Sequence, residues 1–357
     1  MDTIWTLKDY ATERQVDVPG SAQNYTVRFA TMQALLCAAG ELADLYDQWD
    51  SQHLGYADVD RDAFLFDSRT GRMTFRDDKK IVGRSLALSE KQRIAFYSAP
   101  ELILGETETL TSESQNWTLA MLLFDLFYHG GHPLSGASSF ANVFYSPEQE
   151  YLWYASDGIF NMEEFTCRNR PVYGIQGYLI RYWNYYPQVL QDAFTEVFLY
   201  GKEDRTRRLS PGQWKRILNE VSSALPCDCG YGGFIQTYIT TENGNYRCPR
   251  CGKIYYALGC RGRNIYISNG TSIRRCQLDP ERPDDREEVA VVVENRQRKG
   301  IYGVKNTSDD IWVAVFPDQS RREVAKNQGV PVWPGLSITL PGGDVWHIDQ
   351  KTEKNNE

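Results

Sequence analysis

The sequence lacks a long apolar run, a secretion signal and an excess of positive charge. No apolar stretch approaches the roughly 18 residues that a membrane-spanning helix requires. The N-terminal segment Met1–Gln15 lacks the charged-then-apolar pattern of a signal peptide. The formal net charge is −8, which argues against an extended nucleic-acid-binding surface. These absences favour a globular protein without a membrane span or a broad basic face.

Cysteine is also scarce, with 8 residues in a chain of 357. This number is too small for a disulfide framework. Four of the cysteines lie in two tight pairs, which indicates a metal site in a reducing compartment, so we expect a cytoplasmic protein. The length allows two or three domains that each bury a core, and the apolar content of 41% is typical of globular chains.

Three segments dominate the first half of the chain. Apolar residues recur every three or four positions from Phe29 to Trp49, which predicts a long helix. Residues 56–67 and 73–78 are short strand-forming runs joined by a turn that contains Gly71, so they predict a hairpin. Residues 117–128 are apolar on nearly every face, and a helix of this kind belongs in the middle of a domain.

These segments, in this order, resemble the C-lobe of protein kinases. The hairpin stands where kinases carry His-Arg-Asp-Leu-x-x-x-Asn and then Asp-Phe-Gly, and residues 99–101 match the kinase Ala-Pro-Glu motif at the expected distance. By this resemblance, Asp58 takes the position of the catalytic Asp and Asp77 that of the magnesium-binding Asp. Asn116 takes the position of an Asp that braces the catalytic loop.

A later segment extends the resemblance. Residues 204–214 resemble the Asp-Pro-x-x-Arg-Pro-Thr segment of the kinase C-lobe, which implies that Glu101 pairs with Arg208 in a structural ion pair. The aromatic-rich residues 137–186 have no counterpart in a minimal kinase lobe. Their side chains either pack this insertion onto the lobe or form a partner-binding surface.

Other positions depart from the kinase pattern. Tyr56 replaces the His, Ala63 replaces the metal-binding Asn, and residues 78–79 (Asp-Lys) replace Phe-Gly. The 24 residues before the first long helix are too few for a Gly-rich N-lobe with its paired Lys and Glu, on which phosphoryl transfer depends. We therefore expect Asp58 and Asp77 to be hydrogen-bonding braces of the hairpin, without ATP or Mg²⁺. The alternative is a divergent kinase that uses both aspartates.

The two cysteine pairs resemble a zinc ribbon. Cys227 and Cys229 form one pair, and Cys248 and Cys251 lie in a Cys-Pro-x-Cys-Gly turn typical of zinc knuckles. Four thiolates would complete a tetrahedral Zn²⁺ site with no open position, so we expect a structural zinc. Free thiols or a disulfide are the alternatives. The basic residues near the second pair leave open a nucleic-acid-binding role for the ribbon.

The pattern changes at residue 263 to short alternating runs separated by polar turns, which predicts an antiparallel β-sandwich. The predicted strands are 264–268, 288–293, 300–306, 311–316, 322–324, 337–340 and 345–348. Residues 304–318 resemble the closing strands of forkhead-associated domains. The phosphothreonine-reading Arg, Ser and His of that family find no match here, so the resemblance implies a fold and not phosphopeptide binding.

The order of the parts resembles bacterial kinase-like proteins with a C-terminal zinc ribbon and β-sandwich. Such proteins are encoded with a von Willebrand A protein and a metal-dependent phosphatase in tellurite-resistance systems. The expected multi-domain chain has an arm at 1–24, a mainly α-helical kinase C-lobe-like domain at 25–225, a zinc ribbon at 226–262, a β-sandwich at 263–349 and a tail at 350–357. The resemblance implies a pseudokinase scaffold in a phosphorylation-linked stress or defence complex, with those two proteins as partners.

Overall fold

The computed structural model describes residues 3–17, 23–163, 168–222, 227, 229, 231, 234, 238–240, 245–260, 263–267, 271–278, 287–298, 301–340 and 343–348. The chain divides into two compact units, residues 1–218 and 219–357. The first unit combines helices with short antiparallel strands, and the second consists mainly of antiparallel sheet. Among the residues in these ranges, no helix is long and apolar enough to cross a membrane.

The first unit contains most of the helices. They are α1 (Leu7–Ala11), α2 (Met32–Ser51), α3 (Glu90–Arg93), α4 (Pro100–Ile103), α5 (Ser112–Tyr128), α6 (Ala137–Phe140), α7 (Pro147–Ser156), α8 (Gly177–Tyr182), α9 (Gln188–Thr195) and α10 (Pro211–Val221), whose last residues lie beyond the unit boundary. The strands are β1 (Ile4–Thr6), β2 (Gln15–Asp17), β3 (Asn24–Thr26), β4 (Leu54–Tyr56), β5 (Phe64–Asp67), β6 (Met73–Phe75) and β7 (Ile81–Gly83). They form one sheet in the order β1-β5-β6 and the pairs β2-β3 and β4-β7.

Helix α5 is the axis of the first unit. The side chain of Thr111 caps its N-terminus by accepting a hydrogen bond of 3.1 Å from the amide of Ser114. His129 ends the helix in left-handed backbone, with a φ of 52°. Every residue from Trp117 to Tyr128 is buried, because this stretch offers no polar face to the solvent. The prediction of a central helix is therefore confirmed.

Helix α2 and the hairpin β5–β6 pack beside each other. Thr31 caps α2 through a 3.1 Å hydrogen bond from the amide of Ala34 to its side chain. The hairpin turns at Gly71, whose φ of 75° favours glycine. A Cβ at this position would also lie 2.0 Å from the carbonyl oxygen of Ala34. The predicted helix and hairpin are both present, and the glycine allows their close approach.

The N-terminal segment and the aromatic-rich residues 137–186 also belong to the first unit. The N-terminal residues expected as an arm contribute β1, which pairs with β5, and α1, in which Leu7 is fully buried. The insertion at 137–186 packs inward through some of its aromatic rings, and these are Tyr154, Phe160, Trp183 and Tyr186. Tyr145 and Tyr173 remain 88% and 90% exposed. The insertion therefore has both a packed side and an exposed aromatic side.

The second unit is built from antiparallel strands. They are β8 (Ile239–Thr240), β9 (Tyr246–Arg247), β10 (Ile254–Tyr255), β11 (Ala257–Cys260), β12 (Arg263–Tyr266), β13 (Ser272–Arg274), β14 (Glu288–Glu294), β15 (Tyr302–Asn306), β16 (Trp312–Val315), β17 (Arg321–Val324), β18 (Gly329–Pro331), β19 (Ser337–Thr339) and β20 (Val345–Ile348), with helix α11 (Arg275–Leu278) after β13. The sheets have the orders β10-β9-β8, β12-β11-β20-β19-β16-β17 and β13-β14-β15-β18.

The six-stranded and four-stranded sheets share one hydrophobic core. Trp312 and Trp346 enter it from the first sheet, and Ile273 and Val292 from the second. Each of the seven strands predicted after residue 263 overlaps an observed strand, and the pairing is antiparallel throughout. Strand β11 falls within the range expected for the ribbon, yet it pairs with β12 and β20 in the six-stranded sheet.

Candidate functional site

Strands β4 and β7 bring Asp58 and Asp77 into one site. The strands run antiparallel, with Tyr56 opposite Ile81. Asp58 follows β4, and Asp77 precedes the short 3-10 turn Asp78–Lys80 that leads into β7. Because the two strands pair, the segment after one lies beside the segment before the other. Asp58 and Asp77, which belong to two separate segments, therefore lie at the same end of this strand pair.

The side chain of Lys80 contacts both aspartates. Its Nζ lies 3.3 Å from Oδ2 of Asp58 and 3.8 Å from Oδ2 of Asp77, and it donates a 3.0 Å hydrogen bond to the carbonyl oxygen of Asp58. The three side chains are partly exposed, so each ion pair is worth at most about 1 kcal/mol. The ammonium group therefore matters through its position and charge more than through added stability.

Tyr56 supports the same site. Its hydroxyl donates a 3.1 Å hydrogen bond to Oδ2 of Asp77 and accepts one of 3.1 Å from the amide of Asp60. Burial raises the pKa of Tyr56 above its ordinary value, so this hydroxyl keeps its proton. Ala63 is buried and offers only a methyl group. Asp77 thus has a phenol and an ammonium as neighbours.

Gln115 braces the loop that begins at Tyr56. Its side-chain oxygen accepts a 2.9 Å hydrogen bond from the amide of Tyr56, and its amide nitrogen lies 3.5 Å from the carbonyl oxygen of the same residue. The resemblance to kinases predicted that the next residue, Asn116, would brace this loop. Asn116 is half-buried and makes no side-chain hydrogen bond to any residue that the structure describes. The contact with the loop therefore comes from a position that the sequence did not single out.

Glu101 and Arg208 form a buried, bidentate ion pair. Their oxygens and nitrogens meet at 2.7 and 2.8 Å, and the two side chains are 1% and 0% exposed. Arg208 also donates to the carbonyl oxygens of Gly201 and Glu113 and lies 5.1 Å from the ring of Trp117. The pair that the sequence suggested is present, and it ties α4 to the segment before α10.

A second buried ionic cluster lies at the far end of α5. Oδ2 of Asp125 accepts a hydrogen bond from the hydroxyl of Tyr97 and lies 2.9 Å from Nε of Arg61. Burial raises the pKa of Asp125 to about 6, against the attraction of Arg61. We did not single out this cluster from the sequence. The signal was present, because Asp125 is the one charged residue within the apolar stretch 117–128.

Four cysteines of the second unit form a candidate metal centre. The Sγ atoms of Cys227, Cys229, Cys248 and Cys251 all lie within 4.8 Å of one another. Cys227 and Cys251 are 3.5 Å apart, and Cys229 and Cys248 are 3.9 Å apart. Four sulfurs at about 2.3 Å from a tetrahedral ion would stand roughly 3.8 Å from each other. These residues could therefore hold a metal ion, and the cysteines are not joined by disulfides.

The surroundings of the four cysteines favour thiolates at only part of the site. Burial raises the pKa of the Cys227 thiol, whose sulfur lies 2.9 Å from the hydroxyl of Tyr255. A hydrogen bond from the amide of Lys253 lowers the pKa of Cys251 to about 7. Since a metal ion binds the deprotonated form, it must displace protons from this group of thiols. Cys260 lies apart, in the core of the sandwich.

The basic residues beside the cysteines are only partly described. Arg247 and Arg250 are exposed. Lys253 contacts the hydroxyl of Tyr302 and lies 4.7 Å from the centre of that ring. The side chains of Arg261 and Arg263 lie outside the described part of the chain. Lys253 therefore links the cysteine-bearing segment to strand β15.

Comparison of the chain with models of protein families finds no match. Comparison with curated proteins finds no match either.

Proposed function

We propose that the chain is a non-catalytic pseudokinase scaffold in a phosphorylation-linked stress or defence complex of the cytoplasm. The observation that carries this proposal is the position of Lys80 between Asp58 and Asp77. In a kinase, the corresponding carboxylates accept the substrate proton and bind Mg²⁺. Here an ammonium group stands beside both, and its charge repels a divalent cation at short range.

The other positions around the aspartates support the same proposal. Mg²⁺ requires oxygen ligands in near-ideal octahedral geometry, and Ala63 supplies none. The hydroxyl of Tyr56 already uses one oxygen of Asp77. By contrast, the contacts that would hold a C-lobe together are intact, namely the Glu101–Arg208 pair and the bond from Gln115 to the Tyr56 loop. In this proposal the lobe keeps its architecture, while the ammonium of Lys80 offsets part of the negative charge on the two aspartates.

The second unit would serve as the structural half of the scaffold. We assign Zn²⁺ to the four cysteines, because thiolate ligands at these separations suit a closed tetrahedral zinc site. With all four positions taken by protein, such an ion would stabilise the fold and leave no place for substrate. The sandwich that follows would be related in fold to forkhead-associated domains.

The scaffold proposal predicts specific partners. The full chain should be co-expressed with a von Willebrand A protein and a metal-dependent phosphatase encoded beside it and then analysed by size-exclusion chromatography. We expect co-elution with at least one of them, and we expect Asp77→Asn to leave the complex intact because the carboxylate performs no chemistry. A chain that elutes alone with every partner would overturn the scaffold proposal.

One observation favours the enzymatic alternative, a divergent kinase. The structure brings Asp58 and Asp77 to the same site, as phosphoryl transfer would need. In that case transfer from Mg²⁺-ATP to a protein substrate should occur and should be lost in Asp77→Asn. If the wild type transfers phosphate and Asp77→Asn transfers it equally well, the activity comes from a contaminating kinase and does not support this alternative.

A further inference from the structure

We propose that the first unit binds a small nucleotide, a ligand with a planar aromatic base and a phosphate, in a tyrosine-lined cleft. The tyrosine cleft is lined by Tyr10, His129, Tyr178 and Tyr182, with Glu13, Arg28 and Arg181 beside them. Its volume is about 480 Å³, within the range of roughly 300 to 1,000 Å³ that small-molecule sites occupy. It shares no residue with the site of Asp58, Asp77 and Lys80, so this inference goes beyond the scaffold proposal.

The aromatic rings of the cleft form a continuous run. The ring centres of Tyr10 and His129 are 4.5 Å apart, those of His129 and Tyr178 are 3.8 Å apart, and those of Tyr178 and Tyr182 are 4.3 Å apart. The last pair is stacked, with an angle of 30° between the ring planes. A run of this kind is suited to stacking one more flat ring, and a nucleobase of any type has such a face.

The charged groups of the cleft match the remaining parts of a nucleotide. Arg181 is exposed and makes no ion pair with any other residue that the structure describes. Arg28 is 3.7 Å from Glu13 in a pair whose side chains are 66% and 44% exposed, so this contact is weak and readily exchanged. Guanidinium groups suit phosphate, and the Glu13 carboxylate can accept hydrogen bonds from ribose hydroxyls or a base amino group.

The tyrosine hydroxyls add hydrogen-bonding capacity. Those of Tyr178 and Tyr182 make no hydrogen bond to the other described residues. Burial raises the pKa of Tyr178 above its ordinary value, so its hydroxyl remains a donor at neutral pH. Tyr178 and Tyr182 both belong to the aromatic insertion at 137–186. This ligand would therefore give a function to aromatic residues that packing alone does not explain.

Calorimetry on the intact chain tests the proposal, with AMP, GMP, CMP and UMP as probes in buffer without added divalent cation. Adenosine and inorganic phosphate serve as partial ligands. We expect at least one nucleotide to bind once per chain, and each partial ligand to bind at least about tenfold more weakly because it engages only one half of the cleft. Binding should be unaffected by Asp77→Asn, which distinguishes this cleft from a kinase-like nucleotide site.

Two variants locate the ligand. Arg181→Gln should weaken nucleotide binding about tenfold and leave adenosine unaffected, because it removes a charge-assisted contact to phosphate. Tyr182→Leu should weaken both ligands by about tenfold through lost stacking. Arg216→Gln, which removes an exposed arginine of α10, is the matched control. The proposal fails if none of the four nucleotides binds at about 1 mM, or if both variants bind nucleotide as the wild type does while unfolding at the same temperature.

Discussion

Glu101 and Arg208 meet in a fork-to-fork contact at 2.7 and 2.8 Å, although 107 positions separate them in the sequence. Both side chains are shielded from solvent almost completely. A pair buried this deeply is costly to break, since the Glu101 carboxylate would keep only Arg205, at 3.8 Å, and would have no water. The contact therefore holds α4 against the segment that leads into α10. Its contribution to stability can be compared with that of the exposed ion pair formed by the adjacent residue, Arg207.

Replacement of Arg208 should destabilise the first unit strongly. Arg208→Met leaves Glu101 charged and buried, and we expect a loss of about 3 to 5 kcal/mol in the free energy of unfolding. Arg207→Gln is the control, because Arg207 pairs with Glu196 at 2.6 Å on the surface, where solvent screens the ion pair, and its loss should barely change the free energy of unfolding. Urea denaturation measures both. Equal losses in the two variants would contradict a structural role for the buried pair.

The brace from Gln115 to the Tyr56 loop makes a second comparison of neighbours possible. Gln115→Ala leaves the buried amide of Tyr56 without its acceptor, so we expect a loss of about 1 to 3 kcal/mol in unfolding free energy. Asn116→Ala should change stability by less than about 0.5 kcal/mol, since Asn116 is half-buried without a side-chain partner among the described residues. A larger loss at Asn116 would show that the brace lies where the kinase resemblance placed it.

Stability should fall as the pH falls, in part because of His132. Burial lowers the pKa of this histidine to about 3, and its ring stacks on Tyr154 with 4.0 Å between the centres. The pKa of a histidine in the unfolded chain is about 6.5, so between about pH 3 and pH 6.5 only the unfolded chain binds a proton at this residue. The contribution of His132 to stability is therefore complete above about pH 6.5 and is lost as the pH falls. The loss should reach about 2 kcal/mol at about pH 5.

His132→Phe keeps a stacked ring and removes the titration. The difference in unfolding free energy between wild type and variant should therefore depend on pH, and it should favour the variant increasingly on acidification. Asp125 has the opposite dependence, because its raised pKa of about 6 makes the folded state bind the proton first. Asp125 is present in both wild type and His132→Phe, so its contribution cancels in the difference between their unfolding free energies. A difference that stays constant from about pH 5 to about pH 7 would contradict a buried, neutral His132.

The four cysteines should hold one zinc ion per chain. Elemental analysis of the purified protein should find it, and Cys251→Ser should lower the zinc content because the remaining three thiolates bind less tightly. Cys37→Ser, which changes a cysteine of α2 that does not belong to the group of four, should leave it unchanged. Metal affinity should weaken as the pH falls, since protons compete for the thiolates. A protein without metal, or with a disulfide among these four cysteines, would contradict the assignment.

The sequence allowed the elements to be predicted wherever one physical pattern dominated. The periodicity from Phe29 to Trp49 predicted α2, the apolar stretch 117–128 predicted the core of α5, and alternation predicted seven strands of the second unit. The spacing of the cysteines predicted the group that the structure brings within 4.8 Å. In each case burial or ligand chemistry demands a pattern that is local in the sequence.

Other features depend on packing between distant segments. Gln115 and Asn116 differ by one position, and about 100° of helix rotation decides which of them faces Tyr56. The cluster of Arg61, Tyr97 and Asp125 joins three segments, and no local pattern links them. Lys80 was not singled out either, because its place between two aspartates follows from the pairing of β4 with β7. The strands β13 and β18 were not predicted, and each has only three residues in which alternation could be seen.

Titration of Mn²⁺ and Mg²⁺-ATP into wild type, Lys80→Met and Lys79→Met tests the central claim most directly. We predict no saturable Mg²⁺-ATP binding by the wild type that depends on Asp77, and any nucleotide held in the tyrosine cleft should bind equally well in Asp77→Asn. Lys80→Met should bind Mn²⁺ about thirtyfold more tightly, because removing one charge near 4 Å lowers the repulsion of a divalent ion by roughly 2 kcal/mol. Lys79→Met removes the same charge from an exposed side chain that forms no ion pair with Asp58 or Asp77 among the described residues, so its Mn²⁺ affinity should change much less. Saturable Mg²⁺-ATP binding by the wild type that disappears in Asp77→Asn would contradict the non-catalytic scaffold and would favour the divergent kinase.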